Sequence, residues 1–154
     1  SQLKKIKNKE RDIKEYAVLT MHRPSNVDSQ NNLKKMISIF NEIANKINII
    51  FPVHPRTKIN LKSLKIHRNI KLIEPLGYSD FCNLWSNSKF VITDSGGIQE
   101  ETTALKIPCL TIRDNTERPI TVEIGSNTIV GSNKKRPCIA IDYFFNWIQL
   151  KTNR

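Results

Sequence analysis

The run Phe90–Thr103, FVITDSGGIQEETT, constrains this chain more than any other stretch. Phe90 to Thr93 reads as an apolar strand, Asp94, Ser95, Gly96 and Gly97 as a polar turn, and the remainder as a helix with little side-chain bulk at its start. That order of parts makes an anion site: the first amides of a helix lack intrahelical partners, the helix dipole adds partial positive charge, and paired glycines admit a ligand to the backbone. A phosphate is the usual occupant. Glu101 lies one helical turn beyond Gly97, and helical side chains lean toward the N-terminus, so its carboxylate belongs beside the same pocket, where a ribose would sit. A strand-to-helix turn whose acids merely favour the helix dipole has the same local spelling.

A chain of 154 residues suits one domain with a substantial core. Its formal charge of +11 raises nucleic acid or an anionic membrane as partners. The excess, however, sits in Ser1–Glu15 (+3), Arg56–Lys71 (+6) and Ser132–Arg154 (+4), while the rest is slightly acidic. No interleaving of aromatic and basic residues forms a base-stacking platform, so neither nucleic acid nor membrane is the expected partner. Cys82, Cys109 and Cys138 are odd in number and form no Cys-x-x-Cys pair, and His22, His54 and His67 show no ligand spacing, so no metal is expected. Without a signal peptide or an apolar run approaching ~20 residues, the expected location is the cytoplasm.

Along the chain, strands and helices alternate. Residues 1–15 read as a linker or exposed helix. Tyr16–Thr20 is a strand that delivers Met21, His22, Arg23 and Pro24 to its carboxyl end, and Asp28 or Ser29 caps a helix with Leu33, Met36, Ile37, Phe40, Ile43, Ala44 and Ile47 on one face. Ile47–Val53 is a buried strand ending at His54, Leu61 to Lys65 a helix with a basic face, and Ile70–Ile73 a strand leading to Glu74, Pro75, Leu76 and Gly77. Tyr78–Trp85 is helical with Ser79 as cap, Cys109–Ile112 a short strand, and Ser126–Val130 the last. This alternation predicts a Rossmann-like parallel sheet with helices on both faces. In such a sheet His22, the Leu76–Phe81 turn, Ser95, Gly96, Gly97 and Arg118 converge on one carboxyl-end edge, a site for a nucleoside diphosphate. Singly, His22 is as well read as a satisfied strand-end histidine, Phe81 as core and Arg118 as half of a surface ion pair.

Five stretches, VLTMHRPSNVD (Val18–Asp28), FPVHPRT (Phe51–Thr57), IEPLGYSDF (Ile73–Phe81), ITDSGGIQEE (Ile92–Glu101) and RDNTERP (Arg113–Pro119), together resemble the non-hydrolysing UDP-N-acetylglucosamine 2-epimerases. The likeness spans residues 16–131 and is to the C-terminal half of that family. It implies one Rossmann-type half of a GT-B architecture, with UDP held by His22, by Leu76 and Phe81 around the uracil, by Ser95, Gly96 and Gly97 at the phosphates, by Glu101 at the ribose, and by Arg118. It also implies inversion at the sugar C2, interconverting UDP-N-acetylglucosamine and UDP-N-acetylmannosamine. UDP is eliminated to leave a glycal and then re-added, with His22 stabilising the leaving group and no cofactor needed. The full-length enzymes are implied to be homodimers serving cell-envelope polysaccharide synthesis.

Two departures accompany this likeness. The family's N-terminal Rossmann-like half, which carries the acid and base carboxylates, has no counterpart here. Residues 132–154 also diverge, with an aromatic run at Tyr143, Phe144, Phe145 and Trp147 that matches no motif. A truncated gene product or one domain of a larger protein fits both, and the isolated chain is expected to be inactive. The competing readings are half of a GT-B glycosyltransferase, a hydrolysing epimerase, and a non-catalytic nucleotide-binding remnant.

Overall fold

The computed structural model describes residues 15–94, 96–112 and 127–129. Within them, β1 (Tyr16–Thr20) is followed by α1 (Pro24–Val27), α2 (Gln30–Ala44), β2 (Asn48–Pro52), α3 (Pro55–Leu61) and β3 (Ile70–Ile73). Then come α4 (Tyr78–Ser86), β4 (Phe90–Thr93), α5 (Gly96–Ala104), β5 (Cys109–Thr111) and β6 (Asn127–Ile129). The strands form one sheet in the order β3-β2-β1-β4-β5-β6, every pair parallel. This is the doubly wound Rossmann order, in agreement with the expected fold class.

The central strands β1 and β4 are buried along their whole length because the sheet is covered on both faces. Side chains alternate across it. Ala17, Leu19, Ile49, Phe51, Phe90, Ile92 and Leu110 pack with Leu33, Met36, Ile37, Phe40 and Ile43 of α2 and Leu61 of α3. Tyr16, Val18, Ile50 and Val91 face the other way, against Leu84 and Trp85 of α4 and Ile98 of α5. Phe40, Phe51 and Phe90 are essentially excluded from water, and each burial contributes about 1.5–3 kcal/mol. Tyr16 adds a directional tie: its hydroxyl donates to the Leu84 carbonyl at 2.7 Å, fixing α4 on β1, and burial raises its pKa.

Local chemistry sets the helix starts. Ser29 caps α2 by accepting from the Asn32 amide, as one of the two expected caps. The helix expected around Leu61–Lys65 instead ends at Leu61, because Pro55 at its first position and the His54 side chain, which accepts from the Arg56 amide at 3.2 Å, start it six residues earlier. Gly77 rather than Ser79 is the N-cap of α4, and Ser79 lies inside the helix. The short α1, begun by Pro24, has no counterpart in the sequence reading. Residues 1–14 of the expected linker (1–15) and the whole expected tail (132–154) lie outside the described residues.

Candidate functional site

In the order β3-β2-β1-β4-β5-β6, chain connections leave β1 toward one edge and β4 toward the other, so a crevice opens between their carboxyl ends. Thr20 pairs with Thr93, so the two strands end level. Met21, His22 and Arg23 leave β1 there, and Asp94 and the α5 start leave β4.

The glycine pair does not form a turn before the helix. Gly96 and Gly97 are the first two residues of α5, so their amides are themselves among those without intrahelical acceptors. The helix backbone at this start carries no side-chain bulk, the arrangement that anion-binding helix N-termini use. Ser95, placed by the sequence reading beside these amides, and Arg118 lie outside the described residues.

His22 is exposed at the mouth of the crevice, and its amide donates to Asp94 Oδ1 at 2.9 Å. The other strand-end histidine, His54, is instead committed to capping α3, and Arg56 beside it reaches Asp28 Oδ1 at 3.5 Å. His67 lies elsewhere, with its Nδ1 accepting from the Asn69 amide and its Nε2 2.9 Å from Asn45 Oδ1.

Leu76 and Phe81 are half-buried against the cluster of Tyr16, Val18, Ile50, Val91 and Ile98. Each has one flank in the core and another at the surface, a geometry that serves both readings of Phe81. Glu101 lies one turn along α5 from Gly97, half-buried. The hydroxyl of Tyr78, the first residue of α4 and largely exposed, is 3.5 Å from Glu101 Oε1, which sets the start of α4 beside the middle of α5. Cys82 and Glu101 raise the Tyr78 pKa, Cys82 the more strongly, by hydrogen bonding and charge.

Asp94 is the residue the sequence reading passes over. It is 2% exposed, and its carboxylate accepts from the His22 amide, the Arg23 amide at 3.2 Å and the Asn26 side chain at 2.9 Å. Its only local signal is a carboxylate directly after a buried strand, where an acid must find several donors. Among the described residues, no three His, Cys, Asp or Glu side chains cluster as metal ligands would, and no helix is long and apolar enough to cross a membrane.

The sequence profile of the family described as UDP-N-acetylglucosamine 2-epimerase matches residues 1–146. The UDP-N-acetylglucosamine 2-epimerase of Methanocaldococcus jannaschii is 48% identical over 141 residues, covering 86% of this chain and 38% of that protein. A namesake from Methanococcus maripaludis is 42% identical over 147 residues, 90% of this chain and 39% of its own length. The crystal structure of the M. jannaschii protein in complex with UDP-GlcNAc and UDP superposes with a TM-score of 0.82 at 42% identity, covering 95% of this chain and 42% of that one. The chain thus spans about two-fifths of the length of the relatives it matches.

Proposed function

The chain belongs to the UDP-N-acetylglucosamine 2-epimerase family, as the C-terminal half of its GT-B-type fold, and we propose that this half holds UDP in the β1–β4 crevice. The observation that supports the reading is that His22 and the start of α5 both follow the level carboxyl ends of the adjacent strands β1 and β4, the sheet's switch point. The complex of the M. jannaschii relative with UDP-GlcNAc and UDP supports it.

In this reading the amides of Gly96 and Gly97 and the Ser95 hydroxyl hold one phosphate, Arg118 grips oxygens in a fork, and His22 donates to the diphosphate. Glu101 accepts from the ribose hydroxyls, and Leu76 and Phe81 flank the uracil. The parent reaction is a non-hydrolysing inversion at C2 of the sugar. That C–H is weakly acidic because no carbonyl is attached to the carbon, so direct deprotonation is unfavourable. Breaking the C1–O bond to UDP, with loss of the C2 proton to a base, gives a glycal; return of UDP and of a proton to the other face gives the epimer. The crevice serves the leaving diphosphate, whose negative charge grows in the transition state and is met by fixed amides, His22 and Arg118. No metal or redox group enters this scheme.

The base and acid for C2 belong to a facing half, so catalysis needs that second Rossmann-like half, within a homodimeric full-length enzyme. This chain alone is expected to leave the sugar untouched. Incubation with UDP-N-acetylglucosamine in deuterated water tests the division of labour. No deuterium at C2 is the expected result, whereas exchange or epimer from this chain alone contradicts it. Release of free N-acetylmannosamine by a full-length relative would contradict the non-hydrolysing assignment.

A further inference from the structure

Asp94 gathers three N–H donors from a segment roughly seventy positions away in the chain: the amides of His22 and Arg23 and the side chain of Asn26. Successive backbone amides that converge on one point make a concave anion seat of the kind that phosphates occupy. In this protein the seat at the end of β1 is filled by the protein's own carboxylate. An incoming diphosphate therefore finds the His22 and Arg23 amides taken, and among the described residues the helix amides that follow β4 are those of α5. The same carboxylate lies two residues before Gly96, where α5 begins. The spacing between His22 and the α5 amides is thus set by one buried side chain rather than by two independently moving loops.

We propose that Asp94 is a positioning residue of the diphosphate site, clamping the β1–α1 segment onto the start of α5 so that donors from two strands meet one ligand. The inference rests on the UDP reading of the crevice. A carboxylate is required because it presents acceptors in both directions. An amide in its place turns an N–H against either the His22 amide or the Arg23 amide and Asn26, whichever way it is flipped. One donor then loses its acceptor in the first orientation, two in the second, and the segment is pushed away.

The sign of the effect separates this role from simple electrostatics. Asp94 is an anion beside an anion site, so its charge alone opposes phosphate binding, and neutralising it would tighten the complex. The clamp predicts the reverse. The Asp94→Asn variant of the full chain is expected to bind UDP about tenfold more weakly. Its affinity for uridine, which has no phosphate to align, should change less than threefold by ligand-observed NMR. Asn26→Ala leaves both backbone amides on the carboxylate and is expected to weaken UDP by a smaller factor without touching uridine; it carries the test if Asp94→Asn does not fold. As a control, Ile43→Val in α2 lowers the melting temperature with the UDP affinity unchanged.

Unchanged or tighter UDP binding by Asp94→Asn overturns the clamp, as does an equal loss for UDP and uridine in either cleft variant. Absence of UDP binding by the unsubstituted chain instead contradicts the UDP reading itself.

Discussion

Replacing Glu101 by Gln keeps the side-chain volume and removes its charge at the point where the account places the ribose. Glu101 is half-buried in α5, and the Tyr78 hydroxyl at 3.5 Å from Oε1 is too distant to satisfy the carboxylate. Two vicinal ribose hydroxyls match the acceptor capacity that remains. Hydrogen bonds to a charged group are worth about 1.5–3 kcal/mol, and Gln retains one acceptor oxygen without the charge. The net loss is roughly 1.5–3 kcal/mol, a rise in Kd of about 10- to 150-fold. The assay is calorimetric titration of both proteins with UDP and with 2′,3′-dideoxy-UDP, which closes a double-mutant cycle between side chain and hydroxyls. Glu101→Gln should cost UDP this full factor and the dideoxy nucleotide little. Equal UDP affinity in the two proteins, or the same loss for both nucleotides, would refute the ribose assignment.

Two further predictions concern the scaffold. Lys106 has φ of 58° just after α5, where the Ile107 amide bonds back to the Thr102 carbonyl at 2.8 Å, a Schellman-type ending with a lysine in the position glycine prefers. Relief of the left-handed strain, worth about 1–2 kcal/mol, exceeds the unfolded-state entropy that glycine adds, about 0.4–1 kcal/mol. Lys106→Gly should therefore raise the melting temperature by about 2 °C in a thermal scan, and a lower melting temperature counts against this ending. Burial pushes the Cys109 thiol up to about 11, against hydrogen bonds to Thr102 and Thr111 that lower it. Its folded pKa is raised, so the neutral thiol's contribution is complete below the unfolded value of 9.0 and is lost as pH rises from there toward about 11. Denaturant titrations should show stability falling across that window with a slope approaching ~1.4 kcal/mol per pH unit from this group, and Cys109→Ala should flatten it. An identical slope in the variant would contradict the assignment.

The central strands were legible because a parallel sheet buries both faces: YAVLT and FVIT are buried throughout and their ends coincide with β1 and β4, while the edge strand β3, IKLI, was legible from its three apolar residues despite the exposed Lys71. The long amphipathic α2 and its Ser29 cap were legible for the same reason, a local signal repeated over many residues. Where one residue decides, the reading slipped. The α3 start turns on the His54 side chain and Pro55, which outweigh the apolar spacing of Leu61 and Leu64. The α4 start at Tyr78 was read correctly, but its cap falls on Gly77, whose side chain can form no cap bond, and not on Ser79. At the site, Glu101 and the glycine pair stand in one contiguous string and are visible there. Asp94 sits in that same string, yet its partners lie on a different strand and loop, and such a link has no local spelling. The family likeness does hold across the matched profile and relatives. Ser95 and Arg118 lie outside the described residues, and their contacts with UDP, like those assigned to the other site residues, are proposals.

The central claim is that this half alone is a UDP site. Isothermal calorimetry of the purified chain with UDP tests it most directly, run beside a circular-dichroism check of the fold. The account predicts a saturable heat with one UDP per chain, weakened by salt and absent with the nucleobase uracil. A folded protein that gives no heat at millimolar UDP would contradict it.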